Sequence, residues 1–175
     1  SVSVDGDDLA AGDELSEPLI ISTLNKRFDA NEIYTYIGDV LLAINPFQQI
    51  GSYSQEVAAL YTLEAGHCVR PHVYALALSA LRSMRLEGTN QSCVVSGESG
   101  AGKTETTKYF LGHLLDLSRG DDPGLLRQYD NLQFVTNTLL EAFGNSVTAA
   151  NHNSSRFGKY VELEFDQAYH VSSAR

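Results

Sequence analysis

The stretch Val94-Val95-Ser96-Gly97-Glu98-Ser99-Gly100-Ala101-Gly102-Lys103-Thr104-Glu105-Thr106-Thr107-Lys108 decides the fold. Within it Gly97, Gly102, Lys103 and Thr104 fill every fixed position of the pattern GxxxxGK[ST]. Each residue type has a physical reason. Glycines let the backbone turn so that several N–H groups converge on one nest, here spanning Gly97, Glu98, Ser99, Gly100, Ala101 and Gly102. A helix starting at Lys103 aims the positive end of its dipole at the same spot. Lys103 is placed to reach the outer phosphates of a nucleotide, and the Thr104 hydroxyl is sized for Mg2+. The apolar run 92–96 predicts a buried strand before the loop. Phe110, Leu111, Leu114 and Leu115 predict an amphipathic helix after it. A glycine-rich turn with an incidental Lys and Thr is the competing explanation, and the strand–loop–helix order weighs against it. The loop alone leaves GTPase, kinase, transporter ATPase and motor open.

Outward from the loop the pattern mixes helix and strand. Pro18 followed by Leu19-Ile20-Ile21-Ser22-Thr23-Leu24 predicts a short helix with Pro near its first turn. Residues 33–37 and 40–44 are rich in strand formers, and Gly38-Asp39 between them predicts a hairpin. Asn45-Pro46 stops its second strand. A short helix is expected over 54–61 and a longer one from Pro71 to about Met84. Residues 120–124 read as a loop. Residues 125–143 read as a helix with apolar positions at Leu132, Val135, Leu139 and Phe143. Residues 160–165 alternate like a half-exposed strand. The expected fold is α/β: part of a P-loop NTPase sheet flanked by helices, with the hairpin near the nucleotide. Residues 1–17 are expected to be a loose acidic lead-in, and 18–175 the nucleotide-binding portion.

Composition bounds the partners. The chain has 175 residues, 43% of them hydrophobic, enough to bury an ordinary core. Twelve basic residues face twenty-two acidic ones, a net charge of −10. That argues against nonspecific binding to nucleic acid or anionic membrane, since both need positive charge. Two cysteines, Cys68 and Cys93, form no CxxC, so neither a disulfide framework nor a zinc site is expected. They read as buried thiols of a cytosolic protein. No apolar run approaches the roughly 20 residues of a membrane span. The acidic, polar start does not read as a signal peptide. Two GTPase-like matches are decoys: no apolar strand leads into Asp121-Asp122-Pro123-Gly124, and in Asn25-Lys26-Arg27-Phe28-Asp29 the Asp falls one residue late for NKxD.

A second polar loop lies downstream, Asn151-His152-Asn153-Ser154-Ser155-Arg156-Phe157-Gly158-Lys159. Asn and Ser can donate to phosphate oxygens, a Ser hydroxyl can ligate a metal, and an Arg can latch another loop by a bidentate ion pair. A polar connector with no ligand fits this loop equally well in isolation. Together the two loops resemble those of the myosin motor domain. GESGAGKTETTK is similar to that family's phosphate loop and NHNSSRFGK to its switch I. Leu140-Glu141-Ala142-Phe143-Gly144-Asn145 resembles the segment before switch I. Residues 34–47 resemble the strands ending at the adenine pocket, and Pro71-His72-Val73-Tyr74 with Arg82-Ser83-Met84 the helix before the phosphate-loop strand. The phrase YTYIGDVLLAINPFQ resembles unconventional myosins, class III among them.

The resemblance implies roles residue by residue. Lys103 contacts the β- and γ-phosphates of ATP, and Thr104 and Ser155 ligate Mg2+. Asn151 and Ser154 hold the phosphates, with Ser154 beside the attacking water. Arg156 pairs with a glutamate of switch II. Asn45, Pro46 and Tyr53 lie beside the adenine. Gln48, Gln49 and Gly51 depart from the basic, proline-bearing pattern of that loop, as do His152, Ala149 and Ala150 in switch I; no metal or phosphate ligand is lost. The sequence stops after the switch I strand, so the resemblance implies a head fragment lacking switch II. It likewise lacks the actin-binding parts and the neck that carries calmodulin-like light chains. The implied function is the ATP-binding part of a cytoplasmic, cytoskeletal motor that hydrolyses MgATP to move along actin, the fragment alone being inactive. The alternatives are a non-catalytic myosin-like nucleotide-binding module and a small P-loop phosphotransferase. The latter would want an arginine-rich lid, which is absent.

Overall fold

Helix α1 (Glu17–Asp29) carries Pro18 in its first turn, which its fixed φ and missing N–H suit. Glu17 at its start and Lys26 and Arg27 at its end complement the helix dipole. In the computed structural model, residues 7–12, 15–64, 70–118, 138–149 and 151–174 are described. The hairpin follows as expected: β1 (Tyr34–Ile37) pairs antiparallel with β2 (Val40–Ala43), with Tyr34 opposite Ala43 and Ile37 opposite Val40. Gly38 takes φ +57° in the turn.

Residues 7–11 are not a loose lead-in. Leu9 is buried, and Asp8 Oδ1 accepts from Gly38 N at 3.0 Å, holding the hairpin tip. The Tyr36 N–H donates to Asp7 O at 2.8 Å. Arg27 explains the tie. Its buried guanidinium donates to the Tyr34 carbonyl at 2.9 Å and pairs with Asp7 at 2.8 Å and Glu32 at 3.2 Å. A buried guanidinium needs this full set of acceptors.

Helix α2 (Gln55–Ala58) is capped by Ser54, whose Oγ accepts from Val57 N. Helix α3 (Val73–Glu87) is capped by His72 and ends at Gly88, in the left-handed region at φ +66°, whose N–H returns to Met84 O. Helix α4 (Lys103–Leu117) packs against α3. Val73, Ala77 and Leu81 of α3 meet Phe110, Leu111, Leu114 and Leu115 of α4, with Ile33, Tyr34 and Tyr61 closing the core. The apolar face expected for α4 is the face that is buried.

Beyond α4, residues 138–144 are helical, and β3 (Asn145–Ser146) pairs with β4 (Ser154–Ser155). Strand β5 (Leu163–Phe165) pairs with β6 (Val171–Ala174) through an irregular register at Glu164/Phe165.

The mixture of helix and strand fits α/β, but several expectations fail. Residues 92–96 form no strand: no ladder partner lies beside them among the described residues, and Val94 is 87% exposed. Cys93 is accordingly exposed, not buried. An apolar run becomes a strand only where a neighbour supplies hydrogen bonds. The described strands therefore form three separate two-stranded antiparallel ladders, not one sheet. The alternation of 160–165 yields strand only over β5, with Tyr160 exposed. In the expected 125–143 helix, Leu139 and Phe143 are exposed, while Leu132 and Val135 lie outside the described residues, as do Cys68 and the 120–124 loop.

Candidate functional site

The glycine loop sits between the exposed 92–96 segment and α4, and its backbone needs glycine. Gly100 and Gly102 take φ +85° and +94°, where a Cβ is strained. Gly102 is the N-cap of α4, and its carbonyl accepts the first helical bond, from Thr106 N at 2.9 Å. Four N-terminal amides of α4 thus begin at the loop's mouth. Lys103 folds over the loop, its Nζ donating to Gly97 O at 2.7 Å and Glu98 O at 2.8 Å. The ammonium therefore lies across the nest, above carbonyls that a phosphate oxygen would replace as its partner.

Two elements brace this loop from outside. Asn45, just past β2, donates from Nδ2 to Gly100 O at 2.7 Å, and its Oδ1 accepts from Phe47 N at 2.9 Å. A Cβ on Gly102 would stand 3.8 Å from the Asn45 side chain. Asn45, expected beside the adenine together with Pro46, is in the structure bonded to the glycine loop.

The second brace is the 151–157 loop. Ser154 is wholly buried, and its hydroxyl shares a 2.7 Å hydrogen bond with that of Ser99. Asn151 Nδ2 donates to Ser99 Oγ at 3.4 Å and to Asn153 O at 3.3 Å. Arg156 Nη1 reaches Ser154 Oγ at 3.5 Å, while its backbone N–H donates to Gly144 O. Thr148 closes the near side through its bonds with Asn151. Two loops about fifty residues apart in sequence thus meet hydroxyl to hydroxyl. Thr104 and Ser155 are both exposed, and neither hydroxyl holds a hydrogen bond among the described residues.

Tyr53 lies on the flank of α4. Its ring stacks on Tyr109 with centroids 3.6 Å apart, and its hydroxyl meets that of Tyr34 at 2.8 Å. Burial raises both phenols, Tyr34 far beyond its ordinary range; for Tyr53 the hydrogen bond with Tyr34 works the other way. Behind them, burial lowers His72 to about 4 and lowers His113 too. These histidines are core groups: His72 Nε2 meets Ser52 O at 2.9 Å and His113 Nε2 meets Tyr61 O at 2.9 Å.

With this geometry in view, residues 6–175 match the family model described as Myosin head (motor domain). The chain belongs to the myosin head family. It is 44% identical over 170 residues to Myosin-14 of Arabidopsis thaliana, covering 96% of this chain and 11% of that protein. It is 45% identical over 159 residues to Myosin-1 of Aspergillus niger and, equally, to Myosin-1 of Aspergillus clavatus, covering 91% of this chain and 12% and 13% of theirs. The chain therefore spans about an eighth of the length of these relatives.

Within this part of a myosin head, several contacts were missed in the sequence. Asn145 Nδ2 donates to Asn153 Oδ1 at 2.8 Å, tying β3 to the 151–157 loop. Gly144 is packed so tightly under the Phe157 ring that a Cβ there would overlap it. Ser99 pairs directly with Ser154, and Tyr109 covers Tyr53. The Asn and Gly identities were visible, but nothing local names their partners. No group of three or more His, Cys, Asp or Glu side chains suited to a metal occurs among the described residues. A metal here would rest on hydroxyls and on its other ligands. No helix is long and apolar enough to cross a membrane.

Proposed function

We propose that this chain supplies the MgATP-binding part of an actin-based myosin motor, with a P-loop NTPase core. The observation that carries the reading is the Ser99–Ser154 hydrogen bond, which brings the phosphate loop and switch I to one place. A phosphate chain in the nest would take the N–H groups of the loop and of the start of α4, and the Lys103 ammonium. Asn151 and Ser154 would close over its outer end.

The residues present fit Mg2+: Thr104 and Ser155 offer hydroxyls with no protein partner among the described residues. When bound, such a cation neutralises charge developing on the phosphates. The chain's own residues position and exclude water. Ser154 is buried and can orient a water at the γ-phosphate, while Arg156, exposed beside it, is free to latch a partner loop. No side chain here is needed as a general base. Switch I closing on the γ-phosphate and releasing after hydrolysis is the two-state element that the complete head would couple to actin. Actin filaments, and light chains on a neck, are partners of the complete protein, which we place in the cytoplasm on the cytoskeleton.

The test is Lys103→Ala in the complete head, read by fluorescent-nucleotide titration. Loss of the charge-assisted partner should weaken MgATP binding by on the order of 2–5 kcal/mol. Unchanged affinity would overturn the reading.

A further inference from the structure

Asn145 stands at the base of the second loop. It opens β3 opposite Ser155, directly after Gly144, whose carbonyl accepts from Arg156 N at 2.9 Å. Its Nδ2 donates to Asn153 Oδ1 at 2.8 Å. Asn153 is in turn locked to Asn151. The Asn153 N–H donates to Asn151 Oδ1 at 3.0 Å, and the Asn153 carbonyl accepts from Asn151 Nδ2 at 3.3 Å. With its oxygen turned towards Asn153 N, the Asn151 amide presents its NH2 to Ser99 Oγ of the glycine loop at 3.4 Å. A chain of three asparagines therefore runs from a strand to the mouth of the nest.

The other half of the Asn145 amide is unanswered. Its Oδ1 is buried and has no hydrogen-bond partner among the described residues. A buried acceptor left unpaired costs stability, and it calls for a reason. Asn153, the residue that Asn145 serves, is exposed, so water can replace the Asn145 amide there. An apolar side chain at 145 would keep Asn153 solvated and remove the orphan oxygen. The bond therefore adds little to folding. What it supplies, and water does not, is a fixed direction for Asn153 and through it for Asn151.

We propose that Asn145 is a positioning residue for the outermost phosphate of the nucleotide, acting through Asn153 on the Asn151 amide. The inference rests on the phosphate-loop reading above and deepens it. Asn145 touches neither ligand nor reacting atoms. It sets how well the site tells a nucleoside triphosphate from a diphosphate, because only the triphosphate reaches Asn151.

The test compares a non-hydrolysable ATP analogue with ADP, each with Mg2+, by calorimetric titration of the complete head. If the unaltered head bound neither, the phosphate-loop reading would fall and the positioning role with it. If it binds both, Asn145→Ala should weaken the ATP analogue on the order of tenfold, leave ADP unchanged and leave the melting temperature where it was. Asn153→Ala, at an exposed position, should do the same. The double variant should be no worse than either single one, since the two act in series. Equal loss for both ligands would mean general damage to the loop and would overturn the proposal. So would unchanged binding of the analogue, or losses that add in the double variant. Failure of Asn145→Ala to fold would overturn it as well, by making the amide a structural one.

Discussion

Lys103 and Arg156 are both cations at the meeting of the two loops, yet their removal should read out differently. Lys103 lies across the nest, so it bears on binding. Among the described residues the Arg156 side chain bonds Ser154 and is otherwise exposed. Arg156→Ala in the complete head is expected to leave ATP affinity nearly intact and to slow the hydrolysis step, because a latch matters only when the site closes. Single-turnover kinetics separate the two; an unaltered hydrolysis rate would reject the role. Gly144 gives a steric counterpart. Gly144→Ala should push the Phe157 ring aside and raise amide hydrogen exchange across 151–157, and a second change, Phe157→Leu, should recover protection. Exchange identical to the parent would show that the ring moves freely. At this scale the sequence was legible where a residue's conformation is set within its own loop, as for Gly100 and Gly102 in the left-handed region. It was not legible where the partner is far away. Asn45 sits in an Asn-Pro turn that advertises only a strand end, and its bond to Gly100 spans 55 positions.

Helices were readable because their signals are local. The apolar stripe of α4, the proline of α1 and the proline just before α3 each act within a few residues. Strands were readable in the hairpin, where Gly38 sits between the two partners, and in part over β5. Residues 92–96 have strand composition and no described partner, so the same apolar signal leaves an open segment. The start of α3 carries a pH dependence. His72 Nδ1 accepts from Tyr74 N at 3.1 Å, so Nε2 bears the proton and donates to Ser52 O. Protonating Nδ1 would break the cap and place a charge in the core. With the folded value near 4 against an ordinary 6.5, the unfolded chain binds more protons between those limits. Stability therefore rises with pH through that window, and falls as pH drops from 6.5 towards 4, by at most about 3 kcal/mol. His72→Asn, which keeps a capping acceptor, should flatten this dependence in thermal melts of the complete head at pH 7 and pH 5. A slope equal to the parent's would assign the effect elsewhere.

For the molecule as a whole, the exposed apolar residues set the expectation. Val94, Leu86, Phe143 and Tyr160 are each more than 80% exposed, while the chain spans only 11–13% of its relatives' length. Residues 1–175 expressed alone should unfold without a sharp transition, aggregate through the open backbone of 92–96, and bind MgATP weakly without turnover. Calorimetry and phosphate release, with and without actin, check this; a cooperative melt with actin-stimulated turnover would overturn it. The Arg27 hub has its own consequence, in the language of proteolytic trimming. A cut that removes Asp7 takes one carboxylate from a buried guanidinium and releases the strand that Asp7 O lays beside Tyr36. A cut beyond Asp8 also frees the hairpin tip, and one beyond Leu9 uncovers the core. The chain thus carries its own ruler for such trimming, in which each cut from Asp7 to Leu9 removes a further contact.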